Sequence, residues 1–199
     1  MSHCRYQFTS LGLIWSFACR ALEVKEILDR ALAQPGGSEH PGLLHLYIHL
    51  MEMSSTPEAA LEVSGRLQGL IPDAGHLNHM PSHIHVLCGD YRGAITSNIQ
   101  ATQSDQKYLA RSGNLNFYSL YRVHNYHFLI YAAMFAGRSK VALEAMNQSE
   151  STIPEELLRI QSPPSKSKER SLSICIINSS TFLSREDSIS PNPDAISRL

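Results

Sequence analysis

The chain has 199 residues, of which 43% are hydrophobic and 18% charged, enough apolar material for a domain with a buried core. Its 17 lysines and arginines nearly balance 18 aspartates and glutamates, so the formal net charge is −1. This balance argues against nucleic-acid binding and anionic-membrane binding, because both require a concentrated basic surface.

The four cysteines are widely scattered and form no CxxC pair, so the sequence predicts neither a zinc ribbon nor a disulfide framework. No apolar run reaches the roughly 18 residues that a membrane helix needs. The apolar stretch at 11–19 resembles the core of a secretory signal, but little basic charge precedes it. The chain is therefore predicted to be cytoplasmic.

Proline and glycine divide the middle of the chain into segments with helical periodicity. Residues 1–18 are predicted to be irregular, and the first helix is predicted at 19–34. Residues 19–150 lack the alternation of β-branched and polar residues that is typical of strands, so they are predicted to form an all-α domain. The further helices are predicted after Pro41 and at 56–71, 78–88, 91–109, 123–136 and 139–149.

The composition changes after about residue 150. Residues 151–199 contain 12 serines, and residues 161–171 contain no apolar side chain. Such a segment cannot bury enough apolar surface to offset the entropy lost on ordering. We therefore predict a mostly disordered C-terminal tail over 151–199.

Alanines that open the second helix of each predicted helix pair recur along the chain. The interval from Ala60 to Ala94 is about 34 residues, a period that together with paired helices indicates a helical repeat. The interval from Ala94 to Ala142 is longer. The surplus falls in 108–121, a segment that is predicted to be a loop-like insertion.

Several of the ten histidines are separated from one another by the same two intervals. The shorter one separates His45 from His79 and His49 from His83. Within each helix, the two histidines are spaced i,i+4 and therefore project from one face, and Glu52 follows His49 on that face. The longer interval likewise relates His76 to His124 and His79 to His127, and Tyr131 takes the place of a histidine in the later repeat.

Three segments carry this pattern: HPGLLHLYIHLMEMSSTPEAAL, AGHLNHMPSHIHVLCGDYRGAI and VHNYHFLIYAAMFAGRSKVALEA. Together they make residues 20–150 resemble a tetratricopeptide repeat array, and in particular a poorly characterised subgroup with histidine-rich first helices. The resemblance implies a short α-solenoid of three to four helical hairpins whose first helices line a concave groove. In that family the groove usually binds peptides.

The first functional hypothesis is accordingly a non-enzymatic scaffold whose groove binds a protein or peptide partner. Members that clamp a peptide C-terminus use Lys, Arg and Asn in the groove, whereas this chain has histidines at the aligned places. A peptide C-terminus, the ligand of those members, is therefore not predicted as the ligand of this chain. The residues predicted to line the groove are His76, His124, His127 and Tyr131.

The alternative is a metal-binding protein, with catalysis left open. Neutral imidazole suits Zn, Fe, Cu and Ni, and an i,i+4 histidine pair is a recurrent chelating geometry. The sequence contains no HExxH motif, so it does not predict a known metalloprotease site. A third interpretation treats the histidines as packing residues between helices. The predicted metal ligands are His45, His49, His79 and His83, with Glu52 as a further ligand, as a carboxylate that orients a ligand, or as a base.

Overall fold

The computed structural model describes residues 10–159, and in that range it contains helices and turns but no β-strand, which confirms the predicted all-α class. Short 3₁₀ helices at Gly37–Glu39 and Pro57–Ala60 precede the second and third α-helices. None of the described helices is long and apolar enough to cross a membrane. The α-helices are α1 (Ser10–Leu32), α2 (Pro41–Met51), α3 (Leu61–Leu67), α4 (Gly75–His79), α5 (Pro81–Leu87), α6 (Tyr91–Ser112), α7 (Ser119–Phe135), α8 (Ser139–Thr152) and α9 (Glu155–Arg159).

The first helix starts earlier than the sequence analysis predicts. The helix α1 begins at Ser10, so the segment 1–18 that was predicted to be irregular is helical from that residue onward. Residues 10–18 contain no proline and a single glycine, so nothing in the sequence stops the helix from extending backwards.

Two other predicted irregular segments contain helices as well. The predicted insertion at 108–121 is mostly helical, because α6 continues to Ser112 and α7 begins at Ser119. The predicted tail contributes the end of α8 and the short α9. Residues 160–199, where most of the predicted disordered tail falls, lie outside the described residues.

Contacts along the chain divide it into two compact units, Met1–Asp105 and Gln106–Leu199. In the second unit, α7 packs against α8. Arg122 of α7 is fully buried and donates hydrogen bonds to the backbone oxygen of Thr152 at 2.9 Å and to Oγ of Ser119 at 3.1 Å. These bonds join the start of α7 to the end of α8.

The first unit has an apolar core to which most of its helices contribute. In α2 the core residues Leu44, Ile48 and Met51 follow helical spacing and are at most 2% exposed. Burying side chains of this size contributes roughly 1.5–3 kcal/mol each. Further core residues are Leu28, Tyr47, Ala60, Leu67, Met80 and Ile84.

Pro81 divides the helix that was predicted at 78–88 into α4 and α5. Proline has no backbone N–H and clashes with the preceding turn, which interrupts helical hydrogen bonding. Met80 between the two helices nevertheless keeps right-handed helical backbone angles, φ −51° and ψ −40°. The backbone of α5 therefore continues in nearly the same direction as that of α4, and the residues on either side of Met80 stay close together.

A hydrogen-bond network holds α4 against α6. The Asn78 side chain donates to the backbone oxygen of Pro72 at 3.0 Å, and Ser104 of α6 donates to the same oxygen at 2.7 Å. Gly75 opens α4 where it lies against the buried Asp105, and a Cβ atom there would lie 1.9 Å from Oδ1 of Asp105. The close approach of the two helices therefore depends on glycine at this position.

We predict that Gly75→Ala lowers the free energy of unfolding by about 1–3 kcal/mol, since the added methyl group must displace a buried carboxylate. Thermal denaturation should show the melting temperature falling by several degrees. Gly65→Ala in α3 is the matched control, because a Cβ there meets nothing within 4 Å. Alanine at that helical position should leave stability unchanged or raise it by up to about 1 kcal/mol. Equal melting temperatures for the two variants would contradict this account of the α4–α6 contact.

Candidate metal centre

Five histidines of the first unit form a closed circuit in which each imidazole lies beside two others. We call this group the histidine cluster. The helix α2 supplies two members, α4 supplies two and α5 supplies one. Around the circuit, the ring centroids are separated by 4.7 Å (His45–His49), 5.5 Å (His49–His83), 4.8 Å (His83–His79), 5.7 Å (His79–His76) and 5.2 Å (His76–His45).

Helical spacing explains how α2 presents its part of the cluster. His45, His49 and Glu52 each directly follow a core residue, so they form a stripe beside the buried face of α2. His76 and His79 occupy α4 at i,i+3 spacing, and His83 follows one turn later in α5. The nearly continuous backbone across Pro81 keeps His79 and His83 on the same side.

Three members of the cluster offer nitrogen atoms that lie close to one another. The ligand atoms of His45, His49 and His76 all lie within 4.8 Å of each other, and all three residues are partly buried. Nε2 of His45 is buried and has no hydrogen-bond partner among the described residues. Leaving such an atom unsatisfied costs about 1–3 kcal/mol, so a ligand at this place would gain stability.

The environment of His45 favours its neutral form. Burial lowers the pKa of His45, and the neighbouring charges of His49 and His83 lower it further, while Glu52 acts in the opposite direction. Neutral imidazole is the form that binds a metal ion. The environment of His45 therefore favours the protonation state that a metal ligand would need.

Glu52 joins two members of the cluster. Its Oε1 accepts a hydrogen bond from Nδ1 of His49 at 2.7 Å, and its Oε2 is bonded to Nδ1 of His83. Burial alone would raise the pKa of Glu52, but the hydrogen bonds and charges of the two histidines outweigh burial and lower it to about 2. The carboxylate is thus ionised, and His49 is oriented with its Nε2 available to another partner.

On the other side of the cluster, His79 is held by buried polar groups. Its Nδ1 lies 2.7 Å from Oδ1 of Asn98 and 3.3 Å from Oγ of Ser82, and all three residues are fully buried. Nε2 of His79 lies 2.9 Å from Nε2 of His83. A hydrogen-bonded path therefore connects Asn98 through the two histidines to Glu52.

The structure brings together all the residues that were predicted to bind metal: His45, His49, Glu52, His79 and His83. It adds His76, which the sequence analysis placed in a peptide groove, to the same cluster. The other predicted groove residues lie on α7, in the second unit. There the ring of His124 lies 5.2 Å from that of Phe128, Tyr131 is 40% exposed, and burial lowers the pKa of His127.

Sequence reasoning did not identify Asn98, although one signal was present. Asn98 follows Ala94 by four residues, which places a polar side chain on the buried face of α6. Ser82 directly precedes His83 in the sequence, and its contact with His79 has no sequence signature.

Comparison of the chain with protein-family models, curated proteins and solved structures finds no match. The resemblance to tetratricopeptide repeats therefore stays a prediction, and the functional argument depends on the site itself.

We predict that Glu52 contributes stability that is lost in acid. Its pKa in the folded chain is about 2, below the ordinary value of 4.5, so its contribution is complete above about pH 4.5 and fades as the pH falls towards 2. Urea unfolding over this pH range should show the stability difference between wild type and Glu52→Gln shrinking as pH decreases. Glu62→Gln, which changes an exposed carboxylate, is the control. A pH-independent difference for Glu52→Gln would contradict the assignment.

Proposed function

We propose that this protein binds a divalent transition-metal ion through the imidazoles of His45, His49 and His76. The observation that carries the proposal is the convergence of three ligand nitrogens within 4.8 Å of one another. Helical spacing alone places histidines on one face of a single helix. It does not bring side chains from two different helices, α2 and α4, to one point.

The ligand set fits this class of metal. Imidazole is a preferred ligand of Zn, Cu, Fe and Ni, with metal–nitrogen bonds of about 2.0–2.1 Å for zinc. Ligands of a tetrahedral ion with such bonds are about 3.4 Å apart. The three nitrogens lie within 4.8 Å of one another, so small rotations of the half-buried rings would bring them to that separation.

The carboxylate of Glu52 supports the proposal in a second way. Histidines that bind metals usually donate their other N–H group to a carboxylate or a carbonyl, which fixes the tautomer and strengthens the ligand. His49 donates to Glu52 in this manner. We therefore assign Glu52 the role of orienting His49 instead of binding the ion directly.

A site with three protein ligands leaves a coordination position for water or another small ligand, as in catalytic zinc sites. Structural zinc sites usually have four protein ligands. The proposal is metal binding, and a reaction at the open position remains a further hypothesis. The peptide-binding scaffold also remains a prediction. The geometry described above concerns imidazoles that face one another, so it favours a metal site and does not test peptide binding.

We predict that His45→Ala lowers the metal content by one ion per chain, because it removes one of three ligands of this site. Elemental analysis of untagged protein, dialysed against Zn²⁺ and then against buffer, measures the change. His85→Ala is the matched control, since His85 lies on α5 outside the cluster. Equal metal content in wild type and His45→Ala would contradict the proposed site, and circular dichroism would verify that the variant is folded.

A further inference from the structure

We propose that the second unit pairs with a second copy of this chain through a row of aromatic rings on α7, with the two α7 helices antiparallel. The pairing is independent of the proposed metal site, because it uses none of the proposed ligands. Six rings in α7 and in the turn before it form the row, which we call the aromatic stripe. They are Phe117, Tyr121, His124, Phe128, Tyr131 and Phe135.

The spacing of the stripe is typical of a helix that packs lengthwise against another helix. Successive rings are four, three, four, three and four residues apart. This alternation is the pattern of the two apolar positions in a heptad repeat, which form a seam along one side of a helix. From His124 through Phe128 and Tyr131 to Phe135, neighbouring ring centroids are 5.2, 6.2 and 4.7 Å apart. The rings therefore form a continuous surface along this part of α7.

The stripe lies on the side of α7 away from its buried face. Tyr126, Ile130 and Ala133 are buried, and helical geometry directs them away from the positions of the stripe. At the two ends of the stripe, by contrast, Phe117 is 74% exposed and Phe135 is 55% exposed. A row of exposed aromatic side chains on one face marks an interaction surface.

The order of the rings favours a second copy as the partner, because the stripe has nearly the same sequence in both directions. Phe117 and Phe135 are equally distant along the chain from Tyr126, and so are Tyr121 and Tyr131. The remaining two rings form a central pair. If two α7 helices run antiparallel about a two-fold axis at this level, phenylalanine meets phenylalanine and tyrosine meets tyrosine. Such a self-complementary contact is the usual form of a homodimer interface.

The charge of α7 agrees with the pairing of identical surfaces. Arg122 is the one lysine, arginine, aspartate or glutamate of this helix, and its side chain is fully buried. Two copies of the face can therefore meet without repulsion between fixed like charges, which would oppose self-association. A strongly charged peptide or a nucleic acid would gain no ion pair with a lysine, arginine or carboxylate on this face of α7.

The exposed apolar area is sufficient for a dimer. Six large apolar side chains in 115–135 are between 37% and 74% exposed: Leu115, Phe117, Leu120, Tyr121, Tyr131 and Phe135. A side chain of this size that is half exposed leaves about 100 Å² open to solvent. Two copies would therefore bring together about 1,200 Å², which is the lower end of the range for stable, specific interfaces.

The test measures the mass of the untagged full chain by analytical ultracentrifugation, with EDTA present to exclude bridging by metal ions. We expect a dimer at concentrations up to about 100 μM. Tyr121→Glu and Tyr131→Lys should each raise the dissociation constant at least about tenfold, because each places an unpaired charge against a ring of the other copy. Leu61→Lys is the matched control, since Leu61 is 42% exposed but lies on α3. It should leave the dissociation constant unchanged.

A double variant tests the antiparallel arrangement. In Tyr121→Glu/Tyr131→Lys, antiparallel helices place each new lysine opposite a new glutamate, so the dimer should be restored. Parallel helices would place like charges opposite each other and would not restore it. In the wild type, photochemical cross-linking should join Tyr121 of one copy to Tyr131 of the other. Within one chain these two tyrosines are about 15 Å apart along the helix, too far for a direct bond.

Several results would overturn the proposal. They are a wild-type monomer over the whole concentration range, a dimer that EDTA dissociates, a dimer that neither single substitution weakens, and a double variant that stays monomeric. Circular dichroism verifies that each variant is folded. If a variant does not fold, the wild-type cross-link decides, and its absence from a dimer would contradict the pairing. None of these results bears on the metal content of the histidine cluster.

Discussion

The ionised carboxylate of Glu52 determines how the histidine cluster can act. Its two oxygens contact Nδ1 of His49 and Nδ1 of His83, so it fixes the orientation of both rings. Burial opposes this ionisation, but the two histidines overcome it and lower the pKa to about 2. The carboxylate in turn balances positive charge among the imidazoles. Without it, His49 and His83 would lose the carboxylate that orients their rings, whereas His79 would still be held by Asn98 and Ser82.

The fold places these groups by a few local constraints. The core residues of α2 fix the rotation of that helix, and the histidine stripe beside them follows from helical spacing. The break at Pro81 is mild, so α4 and α5 act almost as one helix and hold His79 beside His83. Gly75 and Asn78 keep α4 against α6, where Asn98 is buried. The buried polar groups of α6 therefore contribute to the site although they lie outside the histidine-rich segments.

Part of this arrangement could be predicted from the sequence. Equal offsets in His45–His79 and His49–His83 indicated neighbouring helices with matched faces, and these four residues do lie together with Glu52. The role of His76 was missed because its own offset related it to His124 instead. The contact between His79 and Asn98 could not be predicted, since the two residues lie on different helices and are distant along the chain.

X-ray absorption at the zinc edge of untagged, zinc-loaded protein tests the central claim most directly, because it reports the atoms bound to the metal. The account predicts nitrogen or oxygen neighbours at about 2.0–2.1 Å, together with the outer-shell scattering of imidazole rings. Sulfur neighbours at about 2.3 Å would instead indicate binding at a cysteine such as the exposed Cys88. That result, or a spectrum without imidazole scattering, would contradict the account of the histidine cluster as a metal centre.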